Sequence, residues 1–256
     1  MTLHSRASVL ALSAVIAALA SLCVNASRAL GSTACQADQS IRTGPQLDPG
    51  TYQPWGARAD IEVLAANLCS GSGGRPEDST AWAMVSGDCT GCGYAQIGYT
   101  ANRNYGDGTM RYFYEWTKTT SSSRVTVFFG SPGGATRHTF NVHYDPNVGH
   151  VIMVLDGSQA PCGGNGCAET NFGLSAWGGN THDLWEAEAS NPGSDVPGDT
   201  SDKDDFWQVQ IMSGSGNWND PASFDGSGTG QCYLHFAYVT QYTHFQTWTN
   251  PIGHGC

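Results

Sequence analysis

The fold is decided by the stretch from Ala81 to Trp116, which reads AWAMVSGDCTGCGYAQIGYTANRNYGDGTMRYFYEW. Aromatic, aliphatic and β-branched residues concentrate at 81–86, 94–100 and 110–116, and Gly, Asp, Asn and Cys fill the segments between them. Runs of this kind, bounded by turn-forming residues, are typical of short β-strands. The stretch therefore predicts three consecutive strands joined by turns.

The same pattern continues along the rest of the chain, where Gly occupies 33 of 256 positions. Further strands are predicted at 124–129, 138–144, 150–155, 184–188, 206–212 and 233–240. The segment 61–68 fits both a helical face and a strand, and we interpret it as a strand. Many short strands with few helices predict an all-β protein made of two packed sheets.

The N-terminus carries an export signal. Residues 7–24 are apolar, with nothing more polar than serine, and Val24-Asn25-Ala26 places small residues where signal peptidase cleaves. A transmembrane helix is the alternative, because about 20 apolar residues span a bilayer. Leu22 before Cys23 argues against a lipoprotein signal. We expect a signal peptide at 1–26, an N-terminal extension or propeptide-like segment at 27–52, and one secreted domain at 53–256.

Charge and histidine spacing exclude several classes of function. Without residues 1–26 the chain has 10 basic and 22 acidic residues, a net charge of −12 that disfavours nucleic acid and anionic membranes. The histidines lack zinc-ligand spacing, and His143 and His150 are interpreted as flanking a solvated turn. Nucleophile-elbow, metalloprotease, phosphate-loop and dinucleotide-binding motifs are absent from the sequence. We expect no cofactor, no bound metal and a monomer.

Acidic residues within two predicted strands are candidates for chemistry. The strand period of two places Glu186 and Glu188 on one face, about 6 to 7 Å apart, with Trp185 on the other. In the strand at 110–116, Glu115 shares its face with Arg111 and Phe113. A carboxylate row is unusual for a core face, so these faces are predicted to line a groove; ordinary solvent exposure is the alternative.

Four motifs resemble a known family. Ala81 to Gly87, Tyr94 to Tyr99, Tyr112 to Trp116 and Trp185 to Glu188 match, in order and spacing, the glutamic peptidases known as eqolisins. In that family a Trp-Val-Gly-like strand precedes a Leu-Gln-Thr-Gly strand and then a Tyr-Glu-Trp strand, and the catalytic glutamate stands three residues after an aromatic in a later strand. The resemblance covers roughly residues 55–212. It implies a concanavalin-like two-sheet antiparallel β-sandwich and an acid-acting endopeptidase with a polypeptide substrate.

The resemblance assigns roles to individual residues. Gln96 and Glu188 fall on the catalytic positions, so Glu188 is expected to activate a water as general base while Gln96 donates hydrogen bonds to the oxyanion. Substrate binding is expected from the neighbouring residues Trp82, Glu115, Trp116, Trp185 and Glu186.

This chain also departs from the family pattern. Ser86 and Arg111 stand where the family commonly has acids that support the acidity of the site, which puts the pH range in question. The loop at 191–198, directly after Glu188, has no clear counterpart and is expected to shape a different substrate cleft.

Two other classes of function fit the composition. A carbohydrate-active sandwich would use the eight Trp and ten Tyr to stack on sugar rings, with two of Glu115, Glu186 and Glu188 as acid and nucleophile. It leaves Gln96 without a role. A non-catalytic extracellular module with the same sandwich is the third class.

Removal of the leader leaves eight cysteines, an even number that suits an oxidising compartment: Cys35, Cys69, Cys89, Cys92, Cys162, Cys167, Cys232 and Cys256. The sequence favours a Cys162–Cys167 pair and, less directly, a Cys232–Cys256 pair. Cys89 and Cys92 have the spacing of a redox dithiol, but no βαβ unit surrounds them, which favours a structural disulfide.

All eight cysteines are therefore predicted to be paired. Titration of the denatured, unreduced protein with a thiol reagent should find essentially no free thiol. Two or more free thiols per chain would contradict the prediction and return Cys89 and Cys92 to a redox role.

Overall fold

The structure is a computed structural model that describes residues 40–47, 54–69, 78–102, 109–134, 136–190, 193–224, 226–227 and 233–250. In this part of the chain the strands are β1 (Ile41–Thr43), β2 (Pro45–Leu47), β3 (Gly56–Glu62), β4 (Asp78–Gly87), β5 (Cys92–Asn102), β6 (Met110–Thr119), β7 (Val125–Phe129), β8 (Arg137–Asp145), β9 (His150–Leu155), β10 (Ser158–Gln159), β11 (Thr181–Ala189), β12 (Asp204–Met212), β13 (Trp218–Asn219), β14 (Gly226–Ser227), β15 (Leu234–Thr240) and β16 (His244–Thr249). One 3₁₀ turn, Leu174–Trp177, precedes β11, and the described residues contain no α-helix. None of their helical segments could cross a membrane.

The strands form two antiparallel sheets of eight strands each. The front sheet has the order β14-β2-β11-β4-β5-β6-β7, with β1 also pairing with β11. The back sheet has the order β10-β9-β8-β3-β12-β16-β15, with β13 pairing with β12. The protein is thus a two-sheet β-sandwich, as predicted. The predicted strands that carry Gln96 and Glu188 lie in one sheet, on either side of β4.

The core lies between the two sheets and is built by strand alternation. Inward-facing alanines of β4 and β5 leave room for large rings, including the fully buried Tyr99 and Trp185. The back sheet contributes aliphatic and aromatic side chains such as Ile61, Phe140 and Phe206. Because successive side chains point to opposite faces, the other row of each front-sheet strand faces outward.

The segment predicted as a strand at 61–68 is only partly one, because β3 ends at Glu62 and the residues from 63 to 69 have no regular structure. Its backbone amides leave the sheet: the Val63 N–H donates to the Thr136 carbonyl, and the Leu64 N–H donates to the Tyr99 hydroxyl at 3.1 Å. Val63 and Leu64 are both buried, so the period of two is lost. β16 was not predicted from the sequence.

The front sheet includes residues that the sequence analysis assigned to an N-terminal extension. β1 pairs with the end of β11 that carries Glu188, and β2 lies between β11 and β14. Ile41 and Leu47 are each 1% exposed and belong to the hydrophobic core. The predicted signal peptide lies outside the described residues.

Disulfides are present, and the predicted Cys162–Cys167 pair is confirmed. Cys89 and Cys92 are bonded to each other in the turn between β4 and β5, not at the start of a helix. Cys69 is disulfide-bonded as well. Cys35, Cys232 and Cys256 lie outside the described residues, so the Cys232–Cys256 pair stays a prediction.

Gly98 sits in the outward row of β5, where its neighbours across the sheet are Trp82 and Phe113. A Cβ atom at this position would collide with the Ala81 carbonyl and lie 2.7 Å from the Cβ of Trp82. Glycine therefore lets β4 and β5 pair closely beneath the Trp82 side chain.

Gly98→Ala is predicted to lower the free energy of unfolding by about 1 to 3 kcal/mol, because added volume in a packed site forces backbone shifts. Urea denaturation monitored by tryptophan fluorescence measures the change. The matched control is Gly164→Ala, since a Cβ atom there meets nothing within 4 Å. Equal stability of the two variants would contradict this account of Gly98.

Candidate functional site

A groove of about 900 Å³ lies on the outer face of the front sheet. Its floor is apolar: Trp82, Phe113 and Leu184 form a buried cluster with Met84 and Phe128. The lining side chains come mainly from the outward rows and adjacent segments, and they are Ser40, Arg42, Asp78, Thr80, Trp82, Met84, Tyr94, Gln96, Thr100, Asn102, Phe113, Glu115, Arg124, Thr126, Phe128, Asn165, Glu188 and Ser190. The groove thus combines an apolar floor with carboxyl, amide and guanidinium groups.

Glu188 is a half-buried carboxylate that two neutral donors orient. The Trp82 indole N–H donates to Oε2 at 3.2 Å, and the Ser40 hydroxyl donates to Oε1. In the sheet, Glu188 pairs with Thr80 of β4 on one side and Arg42 of β1 on the other. Among the described residues each oxygen has one donor, which orients the carboxylate and leaves further lone pairs available.

Glu186 occupies the same face of β11 but is only 1% exposed and does not line the groove. Arg42 Nη1 lies 3.4 Å from its Oε2 atom. Burial raises the pKa of Glu186 to about 8; the nearby Arg42 opposes this shift and Glu188 adds to it. Glu186 is therefore protonated at acid pH, and it is too enclosed to contact a substrate.

Glu115 lies deep in the groove, on β6, and its carboxylate accepts from three neighbouring side chains. Tyr94 donates its hydroxyl to Oε1, Thr126 donates to Oε2 at 2.6 Å, and Arg124 Nε is 3.3 Å from Oε2. With 7% of its surface exposed and a cation beside it, this carboxylate serves as an anchor for its neighbours. It is less accessible to a substrate or a water than Glu188 is.

Gln96 lines the groove between Met84 of β4 and Glu115 of β6, which are its cross-strand partners. Its side-chain amide makes no hydrogen bond within the described part of the chain. It is half-buried and faces the groove, so both its N–H donors and its carbonyl are available to a ligand.

Gln96 and Glu188 share the groove but are not cross-strand neighbours. Glu188 pairs with Thr80, and Thr80 pairs with Thr100, which places Gln96 two strands across and four residues along the sheet. Ordinary sheet dimensions give a Cα separation of about 16 Å for this offset. A group bound between them would lie over Trp82 and Met84, so the sharing of one water by both side chains stays a prediction.

Of the residues expected to bind substrate, Trp82 and Glu115 line the groove, but Trp116 and Trp185 do not. Both face the core, where the Trp116 indole donates to the Cys167 carbonyl at 3.1 Å and the Trp185 indole to the Arg58 carbonyl at 2.9 Å. Strand parity sends them inward, because each stands next to an outward-facing glutamate. Their predicted role in substrate binding is not supported.

Several groove residues were missed by sequence analysis. Ser40 and Arg42 come from a three-residue strand and its flank, too short for a periodic signal, and Arg124 follows a turn. Asp78 begins β4, and burial raises its pKa to about 6 despite a hydrogen bond from Ser190. Within the described residues, no group of three or more His, Cys, Asp or Glu side chains is arranged to hold a metal ion.

Solved structures of two peptidases have a fold similar to this sandwich. Scytalido-glutamic peptidase, solved with a peptide-based transition-state analogue, aligns with a TM-score of 0.56 and 16% identity over 83% of this chain and 99% of that one. SCP-B, a member of the eqolisin family solved with the tripeptide Ala-Ile-His, aligns with a TM-score of 0.54 and the same identity and coverage. No protein-family profile and no curated protein matches the sequence. This likeness shows that the fold is shared.

The buried acids predict how stability depends on pH. Glu186 has a pKa of about 8 in the folded chain against 4.5 as a free side chain, so its contribution is complete below pH 4.5 and is lost as the pH rises toward 8. The unfolding free energy should fall over this window. The unfolding free energy of the Glu186→Gln variant should fall less steeply with pH. The difference in unfolding free energy between wild type and variant should therefore change by more than about 1 kcal/mol across the window, the equivalent of one pKa unit.

Urea unfolding at pH 4.5, 6 and 8 measures the difference. Asp220→Asn is the control, because Asp220 is an exposed carboxylate that directly follows β13 at the back sheet. Parallel pH profiles for wild type and Glu186→Gln would contradict the raised pKa of Glu186, because they mean that Glu186 binds as many protons in the folded chain as in the unfolded one.

Proposed function

We propose that this protein is a secreted endopeptidase of the glutamic type that hydrolyses peptide bonds at acid pH. One observation carries the proposal: the oriented Glu188 carboxylate and the unpartnered Gln96 amide face one groove, on a fold shared with solved glutamic peptidases. The motif order along β4, β5, β6 and β11 supports the same assignment.

Glu188 acts as the general base. Trp82 and Ser40 hold its carboxylate in place, and it removes a proton from a water as the water oxygen attacks the scissile carbonyl. The carbonyl π electrons move to oxygen, and the Gln96 amide donates to the resulting oxyanion. When the tetrahedral intermediate collapses, the C–N bond breaks and Glu188 returns the proton to the leaving amine. No covalent enzyme intermediate forms.

The groove favours a peptide substrate at low pH. Its floor, with Trp82, Phe113 and Phe128, offers apolar surface to substrate side chains. Near pH 5, Glu186 and Asp78 are largely protonated because burial raises the pKa values of both groups. Fewer negative charges then lie at this end of the groove.

The three donors on Glu115 and the enclosure of Glu186 weigh against a carbohydrate-active mechanism that uses two of the three glutamates. That mechanism needs two carboxyl groups that both reach the substrate. In the described part of the chain, Glu115 is held by Tyr94, Thr126 and Arg124, and Glu186 is buried beside Arg42. This leaves Glu188 as the glutamate suited to chemistry.

Export supports the same function, and we propose that residues 1–26 direct secretion and are removed. The Cys89–Cys92 and Cys162–Cys167 disulfides suit an oxidising compartment. An acid-stable sandwich with several buried carboxyl groups fits an acidic extracellular medium.

Gln96→Ala is predicted to lower kcat/KM by about 100-fold to 1000-fold, the usual loss of one oxyanion donor. Glu188→Gln should lose at least as much, because the amide cannot accept the proton. The assay uses a denatured protein substrate between pH 2 and 7, with circular dichroism to verify folding.

Two control substitutions make the same chemical changes outside the groove. Gln241→Ala lies in an exposed turn and Glu169→Gln lies outside the groove, and both should retain wild-type activity. The peptidase proposal fails if the wild-type protein cleaves nothing at any acid pH, or if Glu188→Gln keeps full activity.

A further inference from the structure

The N-terminal segment 40–47, which contains β1 and β2, contacts the candidate catalytic glutamate, although it precedes the sequence motifs that resemble the peptidases. Ser40 donates to Glu188 Oε1, and Arg42, the cross-strand neighbour of Glu188, pairs with Glu186. These contacts occur at the edge of the groove. The question is whether the segment is a propeptide that is later removed or a permanent part of the enzyme.

The segment 40–47 is packed as an integral part of the sandwich. β2 is held on both sides, by β11 and β14. Ile41 packs with Ala187 and Ala189 in one core cluster, and Leu47 belongs to the main core. Removal of the segment would expose these apolar surfaces, each buried side chain contributing about 1.5 to 3 kcal/mol.

Gly44 shows how closely the two strands are seated against β11. Its φ angle is +144°, a conformation that favours glycine, and a Cβ atom would collide with the Trp185 carbonyl and lie 2.9 Å from the Glu186 Cα. Between β1 and β2 the backbone runs directly alongside the strand that carries both glutamates. The register of Ser40 and Arg42 against β11 is therefore fixed by core packing and by backbone contact.

Arg42 also balances the charge at this end of the groove. The charged groups that face Glu188 are Glu186 on its own strand, Arg42 on β1 and Asp78 on β4. The described residues of β2 carry no charge, and the Arg124–Glu115 pair lies farther along the groove. Without Arg42, three carboxyl groups would meet here with no cation from β1 beside them.

We propose that β1 and β2 are retained in the working enzyme and that Ser40 and Arg42 are positioning residues for Glu188. This rests on the proposed function, with Glu188 as the base. Ser40 fixes one carboxylate oxygen while Trp82 fixes the other, and Arg42 offsets the negative charge of the glutamate pair. The N-terminal segment thus completes the site that the later strands begin, and it is not a propeptide.

The first test is the composition of the active enzyme. Secreted protein, purified by gel filtration without denaturant, is examined by intact mass and N-terminal sequencing beside an activity assay. We expect the active fraction to contain residues 40–47. An active enzyme that lacks these residues would overturn the proposal.

The second test compares Arg42→Gln, Arg42→Lys and Ser40→Ala in the full chain. Arg137→Gln is the matched control, because Arg137 is equally exposed at 42% and pairs with Asp205 on the back sheet. Arg42→Gln should lower kcat about 10-fold to 100-fold with little change in KM. As the pH is lowered, the kcat of Arg42→Gln should begin to fall at a higher pH than the kcat of the wild type. The reason is that carboxyl groups ionise less readily without a nearby cation.

Arg42→Lys should restore most of the activity that Arg42→Gln loses at low pH. If Arg42 had a purely structural role, its loss would lower the yield of folded enzyme without shifting the pH profile of kcat. Ser40→Ala should lower kcat by about 10-fold with no shift in pH. If Arg42→Gln matches Arg137→Gln in kcat and in pH profile, Arg42 does not position the base.

A readout without activity separates this proposal from the peptidase assignment. Loss of Arg42 removes an influence that lowers the pKa of Glu186, so the pH-dependent loss of stability in Arg42→Gln should extend to higher pH than in wild type. If that shift occurs in a protein that cleaves nothing, the Arg42–Glu186 contact stands and the peptidase function fails. If the wild type is active and neither profile moves, the peptidase function stands and the positioning role fails.

Discussion

Side-chain alternation along the front-sheet strands is the constraint on which the rest of the structure depends. β11 sends Trp185 and Ala187 into the core and leaves Glu186 and Glu188 on the outer face. A shift of one residue in the pairing would bury the glutamates between the sheets and expose the tryptophan. Core packing therefore decides which side chains reach the groove. The alanines of β4 and β5 matter for the same reason, because they make room for the Trp185 ring.

Burial of acidic groups connects the stability of the sandwich with its proposed chemistry. Besides Glu186, Asp183 and Asp204 are fully buried, and desolvation raises the pKa of each well above its ordinary value. Asp183 accepts a hydrogen bond from Thr181 at 2.7 Å, and the Tyr99 hydroxyl lies 3.2 Å from Asp204. A protonated carboxyl costs much less to bury than a carboxylate. The fold and the groove thus favour the same acidic range.

The two ends of the groove use their charges differently. At one end Glu115 is fixed by Tyr94, Thr126 and Arg124, next to Gln96 in the sheet. At the other end, within the part of the chain that the structure describes, the hydrogen-bond donors to Glu188 are neutral, and Arg42 beside it pairs with Glu186. A carboxylate with few donors has lone pairs available to a ligand, whereas one that accepts from three side chains holds its neighbours in place. This difference singles out one glutamate among three that the sequence presents as equivalents.

Local patterns in the sequence predicted much of this protein. The strands from Ala81 to Trp116, the all-β class, the Cys162–Cys167 pair and the shared face of Glu186 and Glu188 each depend on spacing within a few residues. The tertiary structure decided the contacts that spacing along the sequence cannot predict. Residues near 63 leave the sheet to satisfy their backbone through distant partners, and Trp116 and Trp185 turn to the core. The site itself joins Ser40 to Glu188 across 148 residues of sequence. Periodicity reports which way a side chain points within its own strand, but only the pairing of strands, set by burial of the whole core, determines which distant residue it meets.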